Sequence, residues 1–335
     1  MLSTRHGVFL AVLTLALACE RKVPDEPPES TATVAPRAVK SAHAPAPKPR
    51  RPPAPVPDVV TRVAAPERVV AVGDLHGDLR ATERALKLGG LMNEAGRWIG
   101  GKSVLVQTGD LLDRGDDEQA IVDLFERLEI EAKREGGAVY VLNGNHELMN
   151  AALDFRYVTS GGFRDFEDAP DLDLGDRRLT RVPEPQRARA AAFLPGGAYA
   201  RKLAHHPVVL IVGETVFAHG GVLPSYASDP ERMNRDVRAW LLGESEAGAE
   251  VLRAEDGPVW SRHFGDQPSA DDCALLRETL NRLRVGRMVV GHTVQQRINP
   301  ACDGRVYRID VGMAAHYGGR AQVLEITERG PRVIE

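Results

Sequence analysis

Cysteine is scarce in this chain of 335 residues: three occur, Cys19, Cys273 and Cys302. None has a partner at the short spacing of a thiolate zinc site, so that class of metal centre is excluded. Aromatic residues make up only 5%, a poor supply for a surface that stacks nucleotide bases. Neither sign of charge dominates, with 43 Lys and Arg against 47 Asp and Glu. Composition therefore points to neither nucleic acid nor an anionic membrane as a partner. The apolar run Val8–Ala18 is too short to span a bilayer, which takes roughly 20 residues. No internal repeat is visible. What is present is 43% hydrophobic and 27% charged residues, enough for a full core in one large domain or two small ones.

The first residues read as an export signal: Arg5 and His6 precede the apolar run, which ends in Ala16-Leu17-Ala18-Cys19. That ending resembles a bacterial lipoprotein signal, in which the cysteine is lipidated and becomes the new N-terminus. Leucine is more usual three before the cysteine, and here Leu15 lies four before it. A plain secretory signal cut near Ala18 is the alternative. From Pro24 to Pro57 the sequence is rich in Pro, Ala, Lys and Arg. Prolines lack an amide donor and favour extended polyproline geometry, so this stretch is a semi-rigid tether. The expected organisation is a signal over 1–19, a tether over 20–65 and a folded domain over 66–335. The protein is expected in the cell envelope, touching the membrane only through its N-terminal anchor and facing the periplasm or exterior. In an oxidising compartment Cys273 and Cys302 either pair or stay as two buried thiols, and the sequence leaves both open.

Within the domain, apolar β-branched runs predict strands at Arg68–Val72, Ser103–Gln107 and Ala138–Leu142. Helical periodicity fills the gaps, over Leu79–Leu88 and about Asp117–Arg134, which argues for a parallel βαβαβ half. Residues 150–203 mix acids, arginines and glycines around one helix at Pro185–Phe193, an insertion placed to cap a pocket. Beyond it the pattern turns β-rich, at Val208–Val212, Thr215–Ala218, Met288–Val290, Val306–Ile309 and Gln322–Ile326. Helices near Asp229–Leu242 and Asp272–Leu283 interrupt it.

The chemistry is carried where those strands end. Gly73-Asp74-Leu75-His76-Gly77, Gly109-Asp110-Leu111-Leu112-Asp113-Arg114-Gly115 and Gly144-Asn145-His146-Glu147 each follow a strand. Asp74 and His76 are two apart, so on extended chain both face one side and can grip one ion. Asp110, from the middle motif, is the natural bridge between two ions, and Asn145 offers a neutral oxygen. His219 and His292 each follow a later strand beside glycine. Hard oxygen and imidazole ligands in this number suit a cage for two divalent ions, a device for in-line displacement at phosphorus.

These motifs in this order resemble the calcineurin-like metallophosphoesterases of the phosphoprotein phosphatase superfamily. Arg156-Tyr157-Val158-Thr159, Gly257-Pro258-Val259-Trp260-Ser261-Arg262 and Asp310-Val311-Gly312-Met313 narrow the resemblance to the Shewanella-like protein phosphatase branch. It covers about residues 66–330. It implies a four-layer α/β/β/α sandwich, with two packed mixed sheets flanked by helices. It implies one metal on Asp74, His76 and Asp110 and a second on Asp110, Asn145, His219 and His292. The metals implied are manganese first, with iron or zinc as alternatives. His146, positioned by Asp113, is expected to protonate the leaving oxygen, and Arg114 and Arg262 to clamp the phosphate. The implied reaction is phosphomonoester hydrolysis by direct attack of a metal-activated hydroxide, with no phosphoenzyme. Phosphotyrosine or phosphoserine/threonine in a protein or peptide is the expected substrate, and a monomer the default assembly.

The C-terminal segment departs from the eukaryotic Ser/Thr enzymes. Met313-Ala314-Ala315-His316-Tyr317-Gly318-Gly319 stands in place of their toxin-binding loop, so His316 and Tyr317 either line the pocket or sit on a surface loop. Two competing functions remain: a dinucleoside polyphosphate hydrolase or nucleotide phosphoesterase of the same superfamily, and a lipid-anchored binding module without turnover. The intact ligand set argues against the second.

Overall fold

The computed structural model describes residues 58–335. The expected signal, the lipidation expected at Cys19 and most of the expected tether lie outside the described residues. Among those described, no helix is long and apolar enough to cross a membrane.

The described residues open with a two-residue strand β1 (Arg62–Val63) and then alternate strand and helix: β2 (Arg68–Val72), α1 (Leu79–Leu88), β3 (Val104–Gln107), α2 (Glu118–Arg134), β4 (Ala138–Val141). Helix α1 is capped by Asp78, whose carboxylate accepts from the Ala81 amide, and it buries Ala81, Thr82, Ala85 and Leu86 at helical spacing. Four short helices follow, α3 (Asn145–Ala151), α4 (Ser160–Arg164), α5 (Arg187–Phe193) and α6 (Ala198–Leu203). The second half runs β5 (Val209–Val212), β6 (Thr215–Ala218), α7 (Pro230–Leu241), α8 (Glu250–Arg253), α9 (Ala270–Leu283), β7 (Arg287–Val290), β8 (Asn299–Ala301), β9 (Val306–Arg308), β10 (Val323–Thr327) and β11 (Gly330–Ile334).

Two mixed sheets result, ordered β11-β10-β2-β3-β4 and β1-β5-β6-β7-β9-β8. One continuous core joins residues of both, from Val70 and Val106 to Leu210, Phe217 and Val289, with the flanking helices packed on it. Strands β2, β3 and β4 are parallel, with Val72, Gln107 and Val141 in register. Strands β6, β7 and β9 are parallel in the other sheet, with Ala218, Val290 and Arg308 in register. In parallel strands all carboxyl ends lie at one edge, so each sheet delivers three loops side by side.

The expected domain start at residue 66 is too late. Arg62 and Val63 pair in parallel with Ile211 and Val212 of β5, so the sheet already claims residues assigned to the tether. A two-residue edge strand carries no periodic signal, and its first partner lies far along the chain. Asn145, in the motif expected to follow the third strand, opens α3 directly after β4. Cys273, in the first turn of α9, and Cys302, in the turn between β8 and β9, form a disulfide with their Cα atoms 5.3 Å apart.

Candidate active site

The motif residues emerge at the carboxyl edges of the parallel strands. Asp74 and His76 follow β2, Asp110 to Arg114 follow β3, Asn145 and His146 follow β4, and His219 and His292 follow β6 and β7. The turns are tight. His76, Asp110, Asp113, Arg114 and His292 are five of the ten described non-glycine residues at positive φ. Such backbone costs on the order of 1–3 kcal/mol each and persists where surrounding contacts over-determine it. Gly109 has φ +98° and passes so close to the Gly144 amide that a Cβ would lie 2.5 Å from that nitrogen. Only glycine lets the two loops meet there.

Asp110 sits at the centre. Its Oδ2 lies 3.2 Å from His219 Nε2, 3.7 Å from His146 Nε2 and 3.8 Å from His76 Nε2. Ligand atoms of His76, Asp110 and His146 lie within 4.8 Å of one another, as do those of Asp110, His219 and His292. One carboxylate is thus common to two convergent groups. Asp74 joins the first, with Oδ2 4.0 Å from His76 Nε2, and Asn145 the second, with Oδ1 3.0 Å from His219 Nε2.

These residues fit a pair of divalent cations on grounds of their own. The His76 and His219 Nδ1 atoms face the carbonyls of Leu112 (3.1 Å) and Thr108 (2.9 Å). Donation there fixes the tautomer that turns a bare Nε2 to the centre, as in imidazoles that bind metal. His292 Nε2 is buried with no hydrogen-bond partner among the described residues. Burial and the nearby Asp310 and Asp110 carboxylates push Asp74 well above its ordinary range, a repulsion that cations would relieve. Asp110 is likewise buried, yet His219, His146 and His76 hold it well below its ordinary value.

His146 and Asp113 form a hydrogen-bonded pair. His146 Nδ1 lies 2.6 Å from Asp113 Oδ2, leaving Nε2 towards Asp110. Burial pulls the imidazole's pKa down, but Asp110 and Asp113 outweigh it and hold it above the ordinary value. Arg114 is half-buried beneath aromatic faces, 4.5 Å from the Tyr157 ring centre and 5.5 Å from that of Tyr317. Its Nη1 is 3.2 Å from His316 Nε2, and its Nε is buried without a partner among the described residues. His316 and Tyr317 therefore do belong to the site. Arg262 is exposed and donates to Thr293 Oγ1 at 3.0 Å, beside the loop of His292. His263, next in sequence, pairs instead with Asp272 at 2.6 Å.

Four residues were missed as parts of the site. Glu147 accepts from the amides of Asp110, Leu111, Leu112 and Gly144 at 2.7–3.2 Å, tying the β3 and β4 loops together. Asp310 follows β9 just as Asp110 follows β3, and burial raises its pKa to about 6. Both stand in motifs already noted, so the signal was there. Asn150 donates to Asp113 Oδ1 at 2.9 Å, and Arg189 reaches the same oxygen from α5. Nothing local in the sequence separates Arg189 from Arg187, two positions earlier.

The family model for calcineurin-like phosphoesterases matches residues 67–296. The chain is 38% identical to Shewanella-like protein phosphatase 2 of Arabidopsis thaliana, over 82% of this chain and 79% of that protein. Among solved structures it resembles the cold-active protein-tyrosine phosphatase of a psychrophilic Shewanella species, with a TM-score of 0.65 and 22% identity over 83% of each chain. A Saccharomyces cerevisiae serine/threonine phosphatase gives a TM-score of 0.51 at 14% identity, over 82% of this chain and 83% of that one. At those identities the two structures speak for the fold alone. Together with the family model and the Arabidopsis relative, the clustered aspartates and histidines place this chain in the calcineurin-like phosphoesterase family, as a metal-dependent phosphatase.

Proposed function

We propose that this chain is a phosphoprotein phosphatase that cleaves phosphomonoesters by direct displacement over two divalent cations, manganese first among them. The observation that carries the reading is the Asp110 carboxylate, whose Oδ2 lies 3.2–3.8 Å from three imidazole nitrogens that follow three different strands. Asp74 and His76 would hold one ion, Asn145, His219 and His292 the other, and Asp110 would serve both. When bound, the ions supply Lewis-acid charge at the phosphoryl oxygens and an acidified water. The remaining work falls to side chains. The buried, unpartnered Arg114 Nε and the exposed Arg262 guanidinium are positioned to bind phosphate oxygens, a planar fork suiting that geometry better than an ammonium. His146 gives a proton from Nε2 to the leaving oxygen while Asp113 holds Nδ1.

The tyrosine rings at Arg114 offer apolar faces to an aryl ester, and the solved relative from Shewanella is a tyrosine phosphatase by name. Phosphotyrosine is therefore the substrate favoured. The test is turnover of p-nitrophenyl phosphate, phosphotyrosine and phosphoserine peptides and diadenosine tetraphosphate, with manganese and with chelator. Chelator-sensitive release of phosphate from phosphopeptides supports the reading. Turnover confined to the dinucleotide would replace it with a nucleotide phosphoesterase.

We propose further that the protein is exported and anchored through a lipid on Cys19. That rests on the leader alone, and intact mass of the mature protein tests it: an unlipidated N-terminus after Ala18 would sink the anchor.

A further inference from the structure

Among the described residues, Arg189 is the largest fully buried side chain. An arginine has five N–H donors, and here every one is used. Nε donates to Asn150 Oδ1 at 2.7 Å. Nη1 donates to the Gly162 carbonyl at 2.9 Å and to Glu118 Oε2. Nη2 donates to Glu118 Oε1 at 2.9 Å and to Asp113 Oδ1 at 3.1 Å. The guanidinium is flanked by Phe166 and Phe193, whose ring centres lie 4.9 and 5.1 Å away.

The acceptors converge on one residue. Asp113 Oδ1 receives both Arg189 and Asn150, which leaves Oδ2 for His146 Nδ1. Glu118, held by two Arg189 nitrogens, accepts the Asp113 amide with Oε1. Asn150, fixed by Arg189 Nε, also donates to the His146 carbonyl at 2.9 Å. Asp113 sits at φ +67°, a conformation that such a set of contacts holds in place. Both the backbone and the carboxylate plane of Asp113 thus depend on Arg189, and with them the direction of His146 Nε2. A lysine cannot reproduce this, because a single ammonium replaces a five-donor fork.

We propose that Arg189 is a positioning residue for the His146–Asp113 pair, so that the 150–203 segment takes part in proton delivery and is more than a cover. This deepens the proposed phosphatase reaction and rests on it. A donor matters most when the leaving group is a poor one, and little when it departs as a stable anion. Arg189 must therefore act on the dependence of rate on leaving group.

The experiment compares wild type and Arg189→Lys, as the full manganese-loaded chain, on p-nitrophenyl, phenyl and p-methylphenyl phosphate. The expected result is a kcat loss of less than about 3-fold on the nitrophenyl ester and about 10–100-fold on the other two, with manganese content unchanged. If Arg189→Lys does not fold, the charge-balanced pair Glu118→Gln with Arg189→Gln replaces it, and the same selective loss is expected. An equal loss on all three esters would reduce Arg189 to a structural role and overturn the proposal. So would no loss, or failure of both variants to fold. Wild-type inactivity on every ester would instead overturn the proposed function, a separate outcome.

Discussion

Glu147→Gln is the substitution that reaches furthest into this architecture. The Glu147 carboxylate is fully buried and accepts four backbone amides, two on each oxygen. The amides of Asp110 and Gly144 go to Oε2, and those of Leu111 and Leu112 to Oε1. Glutamine keeps one acceptor oxygen and sets an NH2 group against the other two amides. Two buried donors are orphaned at about 1–3 kcal/mol each, for a loss of about 2–6 kcal/mol. For a domain of this size that lowers Tm by about 5–20 °C. The orphaned amides lie in the loops of Asp110 and Asn145, so manganese affinity is expected to fall about 10–100-fold, as when partners of metal ligands are removed. Melting of chelated protein isolates the first effect, and calorimetric manganese titration measures the second. A chelated variant that melts within about 1 °C of wild type, with unchanged manganese affinity, would refute the idea that Glu147 fastens the two loops.

Other perturbations separate parts of the account. His146→Asn is expected to lower kcat on phenyl phosphate by about 10²–10⁴-fold with the fold intact, as circular dichroism and steady-state kinetics would report. Replacing both Cys273 and Cys302 by Ala opens a closure over a sequence separation of 29 and is expected to cost about 3–4 kcal/mol in the chain-entropy model; an unshifted urea midpoint would contradict it. The Asp272 hydrogen bond raises the pKa of His263 against partial burial. A raised native pKa stabilises fully below the unfolded value and is lost as pH rises through the native one. Wild type should therefore out-melt His263→Gln most below about pH 6, with the gap closing above neutrality; a gap that widens with pH would reverse the sign.

The interior of both sheets was legible in the sequence because β2–β7 and β9–β10 are apolar, β-branched and four or five residues long or close to it. The strands that escaped, β1, β8 and β11, are all sheet edges. Two contain proline, Pro300 and Pro331, which the edge tolerates and a central strand does not. The metal-binding candidates were readable because each is a Gly-flanked polar residue after a strand, a pattern set by backbone geometry. Asp310 follows β9 but stands between Ile309 and Val311, without the flanking glycine, so only the family motif marks it. Arg189 and Asn150 are of another kind. Their importance comes from tertiary burial against Asp113, and no spacing in the chain encodes which of many arginines will be buried.

The central claim is that Asp110 is shared by two cations that make this site a phosphatase. The most direct test is a manganese titration of the chelated protein, following p-nitrophenyl phosphate hydrolysis and bound metal together. Activity that rises to completion as the second equivalent binds, and that is absent in Asp110→Asn, is the predicted result. Full activity in chelator, or at one equivalent, or in Asp110→Asn, would contradict it.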